Sequence, residues 1–410
     1  MLLKDTIPHP AFSYLIFLGC AIAFCTTPFN LHTGRDIFYI SSYISFIALV
    51  FNFKYYTKCY KKLILPLIFF AVGMASVLWV SYFKQPGDYI DIYRSYTSSG
   101  KLQIATAFIL LIAINERLDF KKHLTGIVIL CGIAVNSYAI YQGAWLKIDR
   151  SELNFDRATA AAYIITAVNL VVMYTILTLK NRYRLYIYSF AFLLTLSSII
   201  LTGTRSAIIA YPIILAASIF LSNDFISSKN KTKLLLSLLA IFSLCGLIFK
   251  SEIEQRLEAF QTDLQLASQP ERENSIISRV SMQKAGAYAG ISAPLGQSAE
   301  QRGKEIKALV EQYPMLAGVL PYLTVHMHNE IIETFSIKGV WGVALLLALY
   351  IGLLYYSLVV SRNPMLFSVA IALFIYGCSD VIFFSSEVTI SFCLAIILSI
   401  LIVKKTITKE

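Results

Sequence analysis

Of the five histidines in this 410-residue chain, His326 and His328 stand two apart, where a long polar stretch gives way to an apolar one. A neutral imidazole takes up a proton near neutral pH, so either residue can serve as a general base toward a hydroxyl. On a non-helical approach the two side chains point to different sides, and His326 is then either the base itself or the residue that orients His328. The plainer alternative is a hydrogen-bonded histidine at the membrane boundary. Arginines supply the complementary chemistry. Arg205 sits in GTRS, which is the whole turn between two apolar runs, and Arg279 lies within the polar stretch in SRVSMQKAG. A guanidinium is permanently charged and planar and can bind phosphate oxygens in pairs, which suits a diphosphate leaving group. Arg35, Arg94 and Arg157 fall in other short connections on the same side and could complete an anion-binding rim. Against these readings stand headgroup contact at helix ends and, for Arg279, a salt bridge to Glu271 or Glu273. Asp380, in the GCSD run, can either pair with an arginine or be solvated.

No cofactor or metal is called for by these residues. The seven cysteines lie mostly inside apolar runs without metal-ligand spacing, and no Asp-x-Asp cluster offers a Mg²⁺ site.

The elements that must position these groups follow from composition. Hydrophobic residues make up 57% of the chain and charged residues only 14%, with mean hydropathy +0.67, whereas soluble domains carry about 25% charged residues. The apolar runs are near-continuous, which favours membrane-spanning helices over the alternating strands of a barrel. Spans are expected near 11–28, 37–53, 63–83, 102–115, 123–142, 159–179, 185–202, 206–222, 233–249, 338–360, 364–384 and 388–403. The fold class is therefore all-α, a polytopic membrane protein of about twelve transmembrane helices. Nine helices fall in residues 1–249, a large external segment in 250–328, and three helices with a tail in 329–410.

Every second connection is basic. With both termini inside, the cytoplasmic connections hold eighteen Lys and Arg and the short external ones nine, which orients the bundle and leaves the long segment outside. Within that segment Ile253, Leu257, Phe260 and Leu264 recur at helical spacing, as do Ile306, Leu309 and Val310, so it carries amphipathic helices of its own.

The stretch His328-Asn329-Glu330-Ile331-Ile332, followed by Gly339 and Gly342 in FSIKGVWG, resembles the His-Asn-x-x-Leu…Gly-x-x-Gly signature of bacterial O-antigen ligases and related polymerases, with Ile332 for the usual Leu. GTRSA around Arg205 and Arg279 followed by APLGQ extend the resemblance in the same order. It implies transfer of O-antigen from undecaprenyl diphosphate to a sugar hydroxyl of the lipid A-core oligosaccharide, without metal or ATP. The implied setting is the periplasmic face of the bacterial inner membrane, and the implied fold is that of the polyprenyl-phosphate-using (GT-C type) glycosyltransferases. Under that resemblance His328, Arg205 and Arg279 are the catalytic candidates. Arg35, Arg94, Arg157, His326 and Asn329 are the substrate-binding ones. The expected partners are the two lipid-linked substrates and membrane lipids, with no nucleic acid. An O-antigen polymerase, using the same donor, is the alternative reading, and a polysaccharide or lipid transporter is the more distant one.

Overall fold

Backbone amides inside a bilayer have no water to bind, so an apolar chain must satisfy them within each segment. The computed structural model, which describes residues 7–267 and 275–403, does so with helices and, among the described residues, no strand. In chain order they are α1 (Pro10–Thr26), α2 (Leu31–Phe51), the short α3 (Phe53–Thr57), α4 (Tyr60–Phe83), α5 (Ile90–Asn115), α6 (Lys121–Ile140), α7 (Ala158–Leu177), α8 (Arg184–Leu201), α9 (Arg205–Leu221) and α10 (Ser228–Ile248). The polar segment contributes α11 (Lys250–Ala267), α12 (Ser275–Ser292) and α13 (Ala299–Gln312), and the chain ends with α14 (Glu330–Tyr355), α15 (Pro364–Ser379) and α16 (Ser386–Ile402). Eight described helices are long and apolar enough to cross a membrane, and α1, α9, α15 and α16 are shorter apolar helices that complete the expected twelve. The protein is a polytopic, all-helical membrane protein. The basic tail at 404–410 lies outside the described residues.

Helix α7 forms the centre of the bundle and is buried along its whole length, packed on α6, α8, α15 and α16. Lipid chains are as apolar as leucine, so helices in a bilayer associate through close packing and polar contacts. Both devices are present. Gly73 of α4 and Gly100 of α5 let two backbones meet, since a Cβ on Gly73 would lie 2.7 Å from the Gly100 carbonyl oxygen. Asn136 of α6 and Asn169 of α7 exchange amide hydrogen bonds at 2.9 and 3.1 Å.

Three helices begin six or more residues earlier than hydropathy alone places them. Helix α2 starts at Leu31, α5 at Ile90 and α14 at Glu330, because each carries a polar first stretch that still forms helix. Arg35 and Arg94, expected in short loops, are therefore helical residues near the outer ends of α2 and α5. Only Arg157 remains in a connection, as the residue preceding α7. In the polar segment α11 and α13 follow the expected apolar spacing, and α12, which carries Arg279, is an additional helix.

Helix α14 is broken at Gly339, whose φ of 65° and ψ of −159° belong to a region essentially restricted to glycine. The outer segment fills the break. Val340 N–H donates to the Pro294 carbonyl at 2.9 Å, Gln297 N–H donates to Ile337 at 2.9 Å, and the Gln297 side chain reaches the Ser336 carbonyl at 3.0 Å. A Cβ on Gly339 would sit 2.2 Å from the Pro294 oxygen. The two short motifs around Pro294 and Gly339, separate in sequence, are thus one joint.

A second lock joins α13 to α14. Arg302 and Glu333 have no exposed surface and pair at 2.8 Å. Arg302 also donates to Ser336 Oγ and to the Val325 carbonyl, and Glu333 accepts from Tyr96 and from the Met327 N–H at 2.9 Å. The backbone on either side of His326 is therefore anchored to one buried ion pair. Removing one partner from such a pair typically costs about 3–5 kcal/mol, because the other charge is left buried and unpaired. Arg302→Met is accordingly expected to lower the thermal midpoint of the detergent-solubilised protein sharply. The double variant Arg302→Met/Glu333→Leu should regain most of that stability without regaining activity, and equal midpoints for the single and double variants would contradict the account.

Candidate active site

One end of the bundle gathers the start of α14, the end of α15 and the starts of α7, α9 and α16. The first turn of α14 leaves backbone N–H groups without helical partners. Asn329 caps them, its Oδ1 accepting from Ile331 and Ile332 at 3.1 Å each, while its Nδ2 donates to the Cys378 carbonyl at 3.1 Å. Both ends of the amide are thereby engaged within the protein. The structure gives Asn329 a clamping task between α14 and α15. Glu330 continues that clamp by accepting from Ile382 and Phe383 N–H.

Just before the cap, His328 takes a positive φ of 49°, uncommon for a residue with a side chain. That turn brings both histidines onto one carboxylate. His328 Nδ1 lies 3.2 Å and His326 Nε2 3.6 Å from Asp380 Oδ1, and the two rings meet edge to face at 4.4 Å. The expectation that the imidazoles point to different sides, and that Asp380 pairs with an arginine or is solvated, is overturned here. Asp380 is mostly buried and faces the two histidines. Its contact with His328 is close but lies outside hydrogen-bond alignment; such contacts commonly tighten only when substrate is present.

The two imidazoles sit in different surroundings. His326 is 3% exposed, stands against the Phe384 ring, and its Nδ1 accepts from the His328 N–H at 3.3 Å. Burial pushes its pKa down to about 4, with the Asp380 charge opposing that shift only in part. It is therefore neutral across the physiological range. His328 is half-buried, with its carbonyl accepting from Gln283 of α12. For Asp380, burial acts to raise the pKa, but the His328 contact and the charges of both histidines outweigh it and hold the carboxyl well below the usual range.

The arginines divide into two groups. Arg279 is one helical turn before Gln283 on α12, which sets it beside the His328 turn, and its charge reaches the Tyr163 hydroxyl. The expected alternative partners Glu271 and Glu273 lie outside the described residues. Arg205 is the first residue of α9, with its guanidinium over the Phe260 ring of α11 at 5.2 Å. The next residue, Ser206, reaches the same Tyr163 hydroxyl, which also faces Ser379 at 3.5 Å. Arg157 lines a small cavity with Tyr163, His326 and Asp380. The structure thus brings His326, His328 and Arg157 around Asp380, places the charge of Arg279 near Tyr163, and leaves Arg205 at the adjoining start of α9 over Phe260.

Arg35 and Arg94 are not part of that ring of residues. They line a separate groove with Lys84 and Lys101.

Two roles were missing from the sequence reading. Asp380 was noted only as a helix-end charge, although its position on α15 opposite the histidine turn makes it the histidines' acceptor. Arg302 was not singled out at all, and its sole sequence signal is a basic residue on the apolar face of an otherwise amphipathic helix. Chemically, a histidine held by a carboxylate beside guanidinium groups can take a proton from a hydroxyl while negative charge builds on a phosphate. His326, His328 and Asp380 also present three ligand atoms within 4.8 Å, a set that could hold a divalent metal.

Comparison with known proteins bears on the same residues. Residues 190–347 match the O-Antigen ligase family, a stretch that contains Arg205, Arg279, Arg302 and both histidines. The chain is 28% identical over 408 residues to the O-antigen ligase of Escherichia coli (strain K12), covering 98% of this chain and 95% of that protein. The resemblance first carried by Arg205, Arg279 and the His328-Asn329 turn therefore extends along nearly the whole chain, which is similar from end to end to an O-antigen ligase.

Proposed function

We propose that the protein is a glycosyltransferase that ligates O-antigen polysaccharide, taken from undecaprenyl diphosphate, to a sugar hydroxyl of lipid A-core at the periplasmic face of the inner membrane. The observation that carries this reading is the turn that sets His326 and His328 on Asp380, within the stretch that matches the O-antigen ligases. The acceptor hydroxyl loses its proton to a histidine as its oxygen bonds to the anomeric carbon. The bond from that carbon to the phosphate oxygen breaks, and the lipid diphosphate leaves with the electron pair.

The surroundings of the two imidazoles favour His328 as the base. His326 is buried and has one ring nitrogen on the His328 N–H and the other toward Asp380. His328 turns only Nδ1 to the carboxylate, which leaves Nε2 for the acceptor. Asp380 then orients His328 and stabilises the imidazolium that forms. Arg205 and Arg279 take the growing charge of the diphosphate as paired donors, with Arg157 between them and the histidines. These roles need no metal.

Four outcomes test the reading. His328→Ala is expected to lose O-antigen transfer to purified lipid A-core by at least about a hundredfold, with membrane level and thermal midpoint retained; an active variant would remove the base assignment. Arg205→Lys should fall with it, because a point charge cannot reproduce a bidentate contact. Product found on the lipid carrier and not on lipid A-core would identify a polymerase. Prolonged chelation should leave the rate unchanged, whereas loss that added Zn²⁺ restores would put a metal on His326, His328 and Asp380.

The pH dependence of stability follows from His326. Its pKa is about 4 when folded and 6.5 when unfolded, so the unfolded chain binds the proton first as pH falls. The stability of the buried neutral ring is complete above about pH 6.5 and lost progressively toward about pH 4, a total of roughly 3 kcal/mol. The thermal midpoint of the parent should fall more steeply over that window than that of His326→Gln, and parallel curves would show that the ring is already charged when folded.

A further inference from the structure

Away from the histidines, the same end of the bundle holds a groove of about 370 Å³ between α2, the end of α4 and α5. Arg35, Lys84, Arg94 and Lys101 line it, with Asp36 the single carboxylate among its lining residues. Arg94 pairs with Asp91 at 3.0 Å on the exposed side and Arg35 stands 3.2 Å from His32, whereas Lys84 and Lys101 have no ion pair among the described residues. Lys101 lies eleven residues into α5, about 16 Å down a helix rising 1.5 Å per residue. It stands where the polar first stretch of α5 meets its apolar remainder, a place where a cation can meet an anion at the membrane boundary. On the face of α2 that lines the groove with Tyr39, exposed Tyr43, Phe46 and Ile47 continue in helical register. A cationic pocket running into an apolar stripe matches a phosphate group attached to hydrocarbon chains.

The groove is also connected to the active site. A hydrogen bond of 2.7 Å between Ser98 and Ser386 joins its wall to a second, wide cleft of about 520 Å³. That cleft shares Arg157 and Ser385 with the cavity holding His326 and Asp380. Arg279 places its charge near Tyr163 at the same centre, and Arg205 directly precedes Ser206, which reaches that hydroxyl. The leaving diphosphate must sit beside the reacting carbon, hence with those arginines. A phosphate held in the groove is instead separated from the histidines by a cleft wide enough for several sugars.

We infer that the groove is the phosphate subsite of the acceptor: Lys84, Lys101, Arg35 and Arg94 bind the phosphate monoester of a phosphorylated glycolipid, and the cleft carries its sugars to His328. The inference rests on the transfer reaction proposed above. Its test uses the full-length Lys84→Ala/Lys101→Ala variant in proteoliposomes, with initial rates measured against phosphorylated lipid A-core and against the lipid-linked donor separately. The acceptor KM is expected to rise roughly tenfold or more, with the donor KM within about twofold of the parent. Dephosphorylated acceptor should be poor for both proteins and no longer distinguish them, and Lys84→Arg/Lys101→Arg should restore the acceptor KM. A rise in donor KM would hand the groove to the carrier diphosphate and overturn the proposal. Unchanged KM values, with lost retention of anionic phospholipid, would make it a general headgroup site and also overturn it. Should the parent prove unable to transfer sugar, vesicles containing lipid A bisphosphate or its dephosphorylated form still read the groove: preference for the phosphorylated vesicles, lost in the alanine variant, supports it, and equal binding refutes it.

Discussion

A guanidinium and a carboxylate withdrawn from water, Arg302 of α13 and Glu333 of α14, hold the polar segment to the membrane bundle. The cost of dehydrating two such charges is several kcal/mol each and is offset only when their remaining donors and acceptors are also used. The surrounding bonds meet most of that requirement, with Arg302 Nε left over. Ser336, the Val325 carbonyl, the Met327 amide and Tyr96 each take up part of the pair's hydrogen-bonding capacity. Two of those partners are the backbone on either side of His326. The groups that neutralise the buried charges are thus the ones that must be immobile if the histidines are to face Asp380.

The break in α14 works in the same direction. A continuous helix through Gly339 would run its own hydrogen bonds and leave the Pro294–Gln297 turn with nothing to bind. With the break, Ile337, Ser336 and Val340 bond to that turn, and Trp79 of α4 donates to the Gln297 carbonyl at 2.9 Å. Irregular backbone at membrane depth is tolerated where protein buries it. The polar segment is consequently built into the bundle at two points, Gly339 and Arg302, and α12, which leads into the first of them, carries Gln283 to the histidine turn.

Hydropathy made the twelve helices legible because a span of some twenty apolar residues has no competing reading. It misplaced the starts of α2, α5 and α14, where Arg35, Asp36, Asp91, Arg94, Lys101 and Lys338 lower the local average while leaving the helix intact. Polar residues at those ends belong to function and packing, which a window average cannot distinguish from loop. In the site, the types of the residues were readable and their pairings were not. His326, His328, Arg205 and Arg279 declare their chemistry by type and by position at apolar boundaries. That both histidines share Asp380, some fifty residues on, is a product of α14 and α15 meeting end to end, and the bond from Asn329 to Cys378 has the same origin. Arg302 was invisible because its partner lies on a helix whose start had been drawn eight residues too late.

The basic residues at the end that carries the histidines raise one more point, because the orientation expected from the loops rests on a margin of only eighteen to nine. Each outward cation erodes that margin, so each should repay the loss through a contact. Arg150 does so by donating to the Thr202 carbonyl and Thr204 hydroxyl, which fixes the GTRS turn from which Arg205 projects. Lys338 does so by donating to Ser76 and standing 4.1 Å over the Tyr96 ring. Arg157 faces the cavity of His326 and Asp380. Arg205 stacks over Phe260. These cations serve either to shape the active-site end or to face it. Lys84, Lys101 and Lys147 are left over, and of these Lys84 and Lys101 share one groove, where a ligand can serve both as a protein partner serves the others.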